Sequence, residues 1–120
     1  MSHLPFRPFR LFMPVRAIAV SGDSMLPTYL DGDWLIFAPA GSSERLLGKV
    51  VVVERESYPG ILLIKRVTHI DLLPNGAHQF WVEGDNRDAS TDSRHWGAIS
   101  RSEIRGRIVL RYKRSHRSQQ

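Results

Sequence analysis

No cysteine occurs among the 120 residues. Its absence excludes a disulfide framework, a thiolate nucleophile and any cysteine-based zinc site, and it leaves the redox compartment open. Long hydrophobic runs are missing as well. A membrane-spanning helix needs about 20 mostly apolar residues, and the apolar stretch at residues 4–20 is broken by Pro5, Pro8, Pro14, Arg7, Arg10 and Arg16. A cleavable leader needs an unbroken apolar stretch of about 7–15 residues, which is not found there either. Phe6, Phe9, Leu11 and Phe12 between arginines suit a membrane interface, but three prolines oppose a regular helix in that segment. Helix-period patterning is confined to residues 44–47. Acidic residues are in deficit, 12 against 17 Lys and Arg, for a formal net charge of +5. The excess points to an anionic surface nearby or to solvated termini, because Arg105, Arg107, Arg111, Lys113, Arg114 and Arg117 crowd one end.

The length suits one domain with a small core, and 42% hydrophobic residues can fill it. Apolar residues come in short runs rich in Val and Ile, bounded by Gly, Pro, Asn and Asp, which is the signature of strands. Strands are expected at 15–20, 34–37 and 49–54, and over 61–68 after a Tyr58-Pro59-Gly60 turn. The pair 49–54 and 61–68 reads as a hairpin at the centre of the sheet. A second hairpin runs from Thr68 through Pro74-Asn75-Gly76 to 79–83. Residues 84–97 read as an ordered polar loop, 102–103 as a single helical turn, and 107–112 as a last strand. The expected fold is mainly β, an open barrel or two packed sheets. Residues 1–14 form a basic, apolar arm, 15–113 the domain, and 114–120 a basic polar tail.

Three segments carry chemistry. In Ser21-Gly22-Asp23-Ser24-Met25-Leu26-Pro27-Thr28, followed by Gly32-Asp33, a serine stands after a glycine turn at a strand end. Main-chain N–H groups in such a turn can stabilise an oxyanion, and a serine there can equally be a plain turn residue. In the second, Lys65 ends the apolar run Ile61-Leu62-Leu63-Ile64. Facing the core, its ammonium form would be disfavoured by desolvation, leaving an amine able to take a serine proton; at a strand edge it would only snorkel to solvent. Arg66 points to the other face, solvated or paired. The third is Gly84-Asp85-Asn86-Arg87-Asp88-Ala89-Ser90-Thr91-Asp92-Ser93-Arg94-His95-Trp96-Gly97, whose polar groups must satisfy one another and can hold a catalytic neighbour. It resembles a calcium loop in composition only: the closing bidentate Glu is missing and Arg87 and Arg94 oppose a cation.

In order and spacing the three segments resemble the type I signal peptidase family, whose members use a Ser-Lys dyad. The resemblance spans about residues 15–112 and implies a β-rich catalytic core without the second domain of larger members. It places Ser24 on the nucleophile, Lys65 on the general base, Ser90 on the serine that orients the lysine, and Asp92 and Arg94 on a bracing pair. The Ser24 N–H would serve the oxyanion, and Val20, Gly22 and Met25 would border the substrate cleft. Some members carry a serine with a second oxyanion donor where this chain has Gly22. The implied reaction is acyl transfer on an extended precursor polypeptide with small residues before the cut, with no cofactor and no metal.

The resemblance implies removal of an N-terminal signal peptide or propeptide; with no anchor visible the chain is similar either to a general processing enzyme of this kind or to a short, soluble bacterial branch that includes maturation proteases for nickel-type superoxide dismutase, cytoplasmic or peripherally bound to anionic membrane. Two other readings stand beside it. One is a self-cleaving repressor-type domain, which also uses Ser and Lys. The other is a non-enzymatic basic module binding nucleic acid or lipid through the C-terminal arginines. Ala40-Gly41 lies after Ser24, and no DNA-binding helices precede the core, against the first. No aromatic RNA-binding signature supports the second, and no nucleic-acid partner is expected.

Overall fold

Four β-branched residues in a row, Val50, Val51, Val52 and Val53, leave no polar face for water, so both sides of their strand must be covered. A computed structural model describes residues 14–115. The expected arm, apart from Pro14, and residues 116–120 of the expected tail lie outside the described residues. The strands are β1 (Arg16–Ala19), β2 (Trp34–Ala38), β3 (Val50–Glu54), β4 (Leu62–Leu72), β5 (His78–Glu83), β6 (Ile99–Ser100) and β7 (Ile104–Lys113). They form one antiparallel sheet in the order β1-β2-β7-β3-β4-β5-β6, with the β3–β4 hairpin at its middle. Of the two architectures expected, the single unclosed sheet excludes a sandwich of two.

The valines divide by parity. Val51 and Val53 pack with Leu46, Val67, Phe80, Val82, Ile99 and Ile104 on one face. Val50 packs with Val20, Met25, Leu35 and Ile64 on the other. All four valines are buried, and each is worth about 1.5–3 kcal/mol by transfer from water. Register carries this division to the neighbouring strand. Val52 pairs with Ile64 and Val51 with Lys65, so Lys65 shares the Val51 face and Ile64 and Arg66 share the other.

β4 is longer than either hairpin required, because one continuous strand serves both. Its first half, 62–66, pairs with β3, and from Arg66 to Leu72 it pairs with β5. The opposite edge of residues 62–65 therefore has no strand partner among the described residues. β1 stands at one end of the strand order, opposite β6, and among the described residues pairs only with β2. The turn between β4 and β5 is closed by Gly76 N–H to the Leu73 carbonyl at 2.9 Å, with Gly76 at φ +86°, which a side chain would strain.

The polar loop holds a 3₁₀ turn at Arg87–Ala89 and a single helical turn, α1 (Ser93–Trp96), before β6. Asp92 caps α1 by accepting from the Arg94 N–H. At the other end of the sheet, buried Asp33 accepts from the N–H groups of Leu30 (2.9 Å) and Ser115 (2.6 Å) and from Arg111 Nη1 (3.1 Å). Arg111 also lies over the Tyr29 ring at 5.6 Å. Ordered contacts thus run on to Ser115, and one of the C-terminal arginines is spent on the fold rather than offered to a partner.

Candidate active site

Ser24 and Lys65 line the same cleft, of about 270 Å³. Its walls are the end of β1 with the following turn (Ala19, Val20, Ser21, Ser24 and Met25) and residues 61–65 leading through the start of β4. Val20 and Met25 thus border it, whereas Gly22 is not in its lining. The Gly22 N–H is committed to Asp31 Oδ1 at 2.7 Å. No hydrogen bond joins Ser24 Oγ to Lys65 Nζ, and the Ser24 N–H has no hydrogen-bond partner, among the described residues.

Lys65 is only 3% exposed, which disposes of the snorkelling alternative. Burial among apolar neighbours pushes its amine below the ordinary lysine range; the negative charge of Asp92 works against that shift and the positive charge of Arg94 works with it. Nζ lies 3.0 Å from Ser90 Oγ. The direction of that bond follows from Asp92. Burial alone would raise the Asp92 carboxyl, but hydrogen bonds from Arg94, Ser90 and the Gly84 N–H more than offset it and hold the group ionised, far below the usual carboxylate range. An ionised carboxylate only accepts, so the Ser90 hydroxyl, which bonds Asp92 Oδ2, must donate to it. Towards Lys65 and the Gly84 N–H (3.1 Å), Ser90 can then only accept. Lys65 gives one N–H to Ser90, and a neutral amine keeps its lone pair for another partner.

Arg94 forks onto Asp92, Nε to Oδ1 at 3.0 Å and Nη2 to Oδ2 at 2.7 Å. Asp92 can thereby orient Ser90 while much of its charge is neutralised before it reaches Lys65. Ser90, Asp92 and Arg94 form one connected hydrogen-bonded network with Lys65.

Five further residues, Gly84, Asp85, Arg66, Thr28 and Asn86, complete the surroundings of the site. Gly84 carries no Cβ because one there would collide with Ser90 Oγ and lie 2.6 Å from the Ser24 carbonyl oxygen. Asp85 is gripped by Arg66 through Nε (2.9 Å) and Nη2 (2.8 Å), and this hydrogen bonding holds its carboxyl below the ordinary range. Asp85 also accepts from Thr28 Oγ1 at 2.5 Å, which ties β4 to the segment after Ser24. Asn86 gives its N–H to the Ser24 carbonyl (2.8 Å) and its side-chain amide to the Asp23 carbonyl (3.0 Å). The only signal for these contacts was their place in a polar loop, since each partner lies far off in sequence. Asp85 and Asp92 are thus engaged by arginines, and among the described residues no group of His, Asp and Glu is arranged to hold a metal.

A family model described as "Signal peptidase, peptidase S26" matches residues 73–113, which take in Ser90, Asp92 and Arg94 but neither Ser24 nor Lys65. Among characterised proteins, mitochondrial ATP-independent inner membrane protease subunit 1a of Arabidopsis thaliana is 34% identical over 119 aligned residues, covering 77% of this chain and 67% of the plant protein. Mitochondrial inner membrane protease subunit 1 of Xenopus tropicalis is 31% identical, covering 78% and 66%, and that of Mus musculus 32% identical, covering 78% and 67%. The chain spans about two thirds of these relatives. All three are eukaryotic and named for an inner membrane, which lends no support to a bacterial setting or to a link with nickel superoxide dismutase. Among the described residues, no helix is long and apolar enough to cross a membrane. With the β-rich sheet and a relative this similar over two thirds of its length, the chain belongs to the signal peptidase family, a family of peptidases.

Proposed function

We propose that this chain is a serine endopeptidase that removes an N-terminal signal peptide or propeptide from a precursor polypeptide, with Ser24 as nucleophile and Lys65 as general base. The observation that carries the reading is a buried lysine sharing a cleft with a serine, its amine fixed by a hydroxyl whose own proton is committed elsewhere. Neutral Lys65 takes the hydroxyl proton as Ser24 Oγ bonds to the scissile carbonyl carbon. The Ser24 N–H, with no partner among the described residues, donates to the oxyanion. Collapse breaks the C–N bond, and the Lys65 ammonium returns its proton to the leaving amine. Water, activated by Lys65, then hydrolyses the ester and restores Ser24.

Two edges without a strand partner among the described residues offer the substrate a place. β1 and the start of β4 line opposite walls, running in the same direction from Arg16 and Gly60 towards Ser24 and Lys65. An extended peptide hydrogen-bonded to either edge adds a strand there. Small residues before the cut suit the shallow wall of Val20, Met25 and Ile64.

Purified protein should cleave a peptide with Ala-X-Ala before the cut, and Ser24→Ala, Lys65→Ala and Lys65→Arg should each lower kcat by about 10⁴-fold or more. The guanidinium of Lys65→Arg stays protonated and cannot act as base. Ser90→Ala should cost about 100-fold through misplacement of the amine. Undiminished turnover by Lys65→Arg would eliminate the dyad. Self-cleavage lost in Ser24→Ala would favour the repressor-type reading instead.

A further inference from the structure

A second pocket, of about 330 Å³, opens beside the catalytic cleft and is lined by Arg55, Tyr58, Ile61, Leu63, Thr91 and Trp96. Ile61 and Leu63 line both spaces, so the two adjoin. The pocket lies on a definite face. Side chains alternate along β4, so Leu63 shares the face of Lys65, and Ile64 takes the face of Val20 and Met25.

A substrate strand laid along the free edge of β4 must alternate in the same way. If the two small residues of an Ala-X-Ala segment rest on the Val20, Met25 and Ile64 face, the side chain of X is turned to the opposite face, where Leu63 and Trp96 stand. The pocket's surroundings suit an apolar group. Tyr58 and Ile61 are 66% and 55% exposed, a large apolar area left to solvent. Trp96 is held in place rather than loose: the Arg55 guanidinium stacks over its ring at 4.2 Å and is itself fixed to Glu103 at 2.9 Å. That fixed cation at the wall also disfavours a second cation in the pocket.

We propose that this pocket is a specificity subsite which reads the residue between the two small positions of the substrate, taking aromatic and aliphatic side chains and discriminating against Lys and Arg. The proposal rests on the peptidase reading above.

The test is a set of peptides identical except for X, with Phe, Leu, Ala and Lys at that position. It is read as the ratio of kcat/KM between X = Phe and X = Ala, so that any loss of active fraction in a variant cancels. Wild type should prefer Phe over Ala by about tenfold or more, the discrimination a filled apolar pocket provides, and should cleave the Lys peptide worst. Trp96→Ala should bring the Phe/Ala ratio close to one. Because Trp96 packs against the core and its removal can impair folding, Tyr58→Ala, in an exposed turn, serves as the second variant and should lower the same ratio at least threefold. A wild-type enzyme that cleaves all four peptides equally, or a ratio unchanged in both variants, overturns the subsite while leaving the peptidase intact. Failure of wild type to cleave any of them overturns the peptidase reading and the subsite with it.

Discussion

The lowered pKa of Lys65 is the outcome of burial and opposed charges at short range. Desolvation drives its proton off, Asp92 draws it back, and Arg94 tempers Asp92. Removing Arg94 should therefore raise the Lys65 pKa, and the acidic limb of the kcat/KM profile of Arg94→Gln should move to higher pH than in wild type. A profile that loses height without moving would assign Arg94 to bracing alone. The same burial has a cost in stability. The folded-state pKa of Lys65 lies below the unfolded one, so between the two the unfolded chain binds more protons and stability rises with pH. Below the folded pKa the full penalty applies; above the ordinary lysine range it is gone. Lys65→Met, which keeps the volume without the charge, should be more stable than wild type near neutrality in urea melts, with the gap closing as the pH rises towards 10. A gap that is independent of pH would mean that the amine is not desolvated.

At the scale of the elements, the site is a junction of three: the turn after β1, the start of β4, and the loop between β5 and β6. Gly84 is where they touch. Its N–H bonds both Ser90 Oγ and Asp92 Oδ2 (3.1 and 2.8 Å), and its missing Cβ admits the Ser24 carbonyl. Gly84→Ala should destabilise the fold by about 1–3 kcal/mol, the usual cost of overpacking, and should lower kcat more than Tyr58→Ala does. Wild-type stability and rate would show that the loop gives way freely. What was legible in the sequence follows the same geography. Ser24, Lys65, Ser90, Asp92 and Arg94 stand in contiguous strings and were singled out through the family resemblance those strings carry, and the valine run announced a strand covered on both faces. The Arg66–Asp85–Thr28 tie, the close approach at Gly84 and the pocket at Trp96 depend on contacts between distant segments, which no local pattern records. β6, with two residues, is too short to have a period, and the single long β4 was hidden because its two partners hand over at Arg66.

At the scale of the whole molecule, the end of β1 and the start of β4 line one cleft from opposite ends of a run of paired strands. A peptide that pairs with these edges would tie them together, so its binding should stabilise the entire sheet and not only the loops that touch it. With Ser24→Ala and an uncleaved Ala-X-Ala peptide at a hundredfold excess over Kd, the gain should be about 2.7 kcal/mol, visible as a rise in Tm. A peptide methylated on its backbone nitrogens through the same segment should give almost none, because it cannot pair with the edges. Equal protection by both would assign binding to side chains alone. The open edges have another consequence. An edge that waits for any extended chain has no means of telling substrate backbone from the backbone of a neighbouring copy. Concentrated enzyme without peptide should therefore be prone to sticking edge to edge, and an inhibitor that fills the gap would double as a preservative.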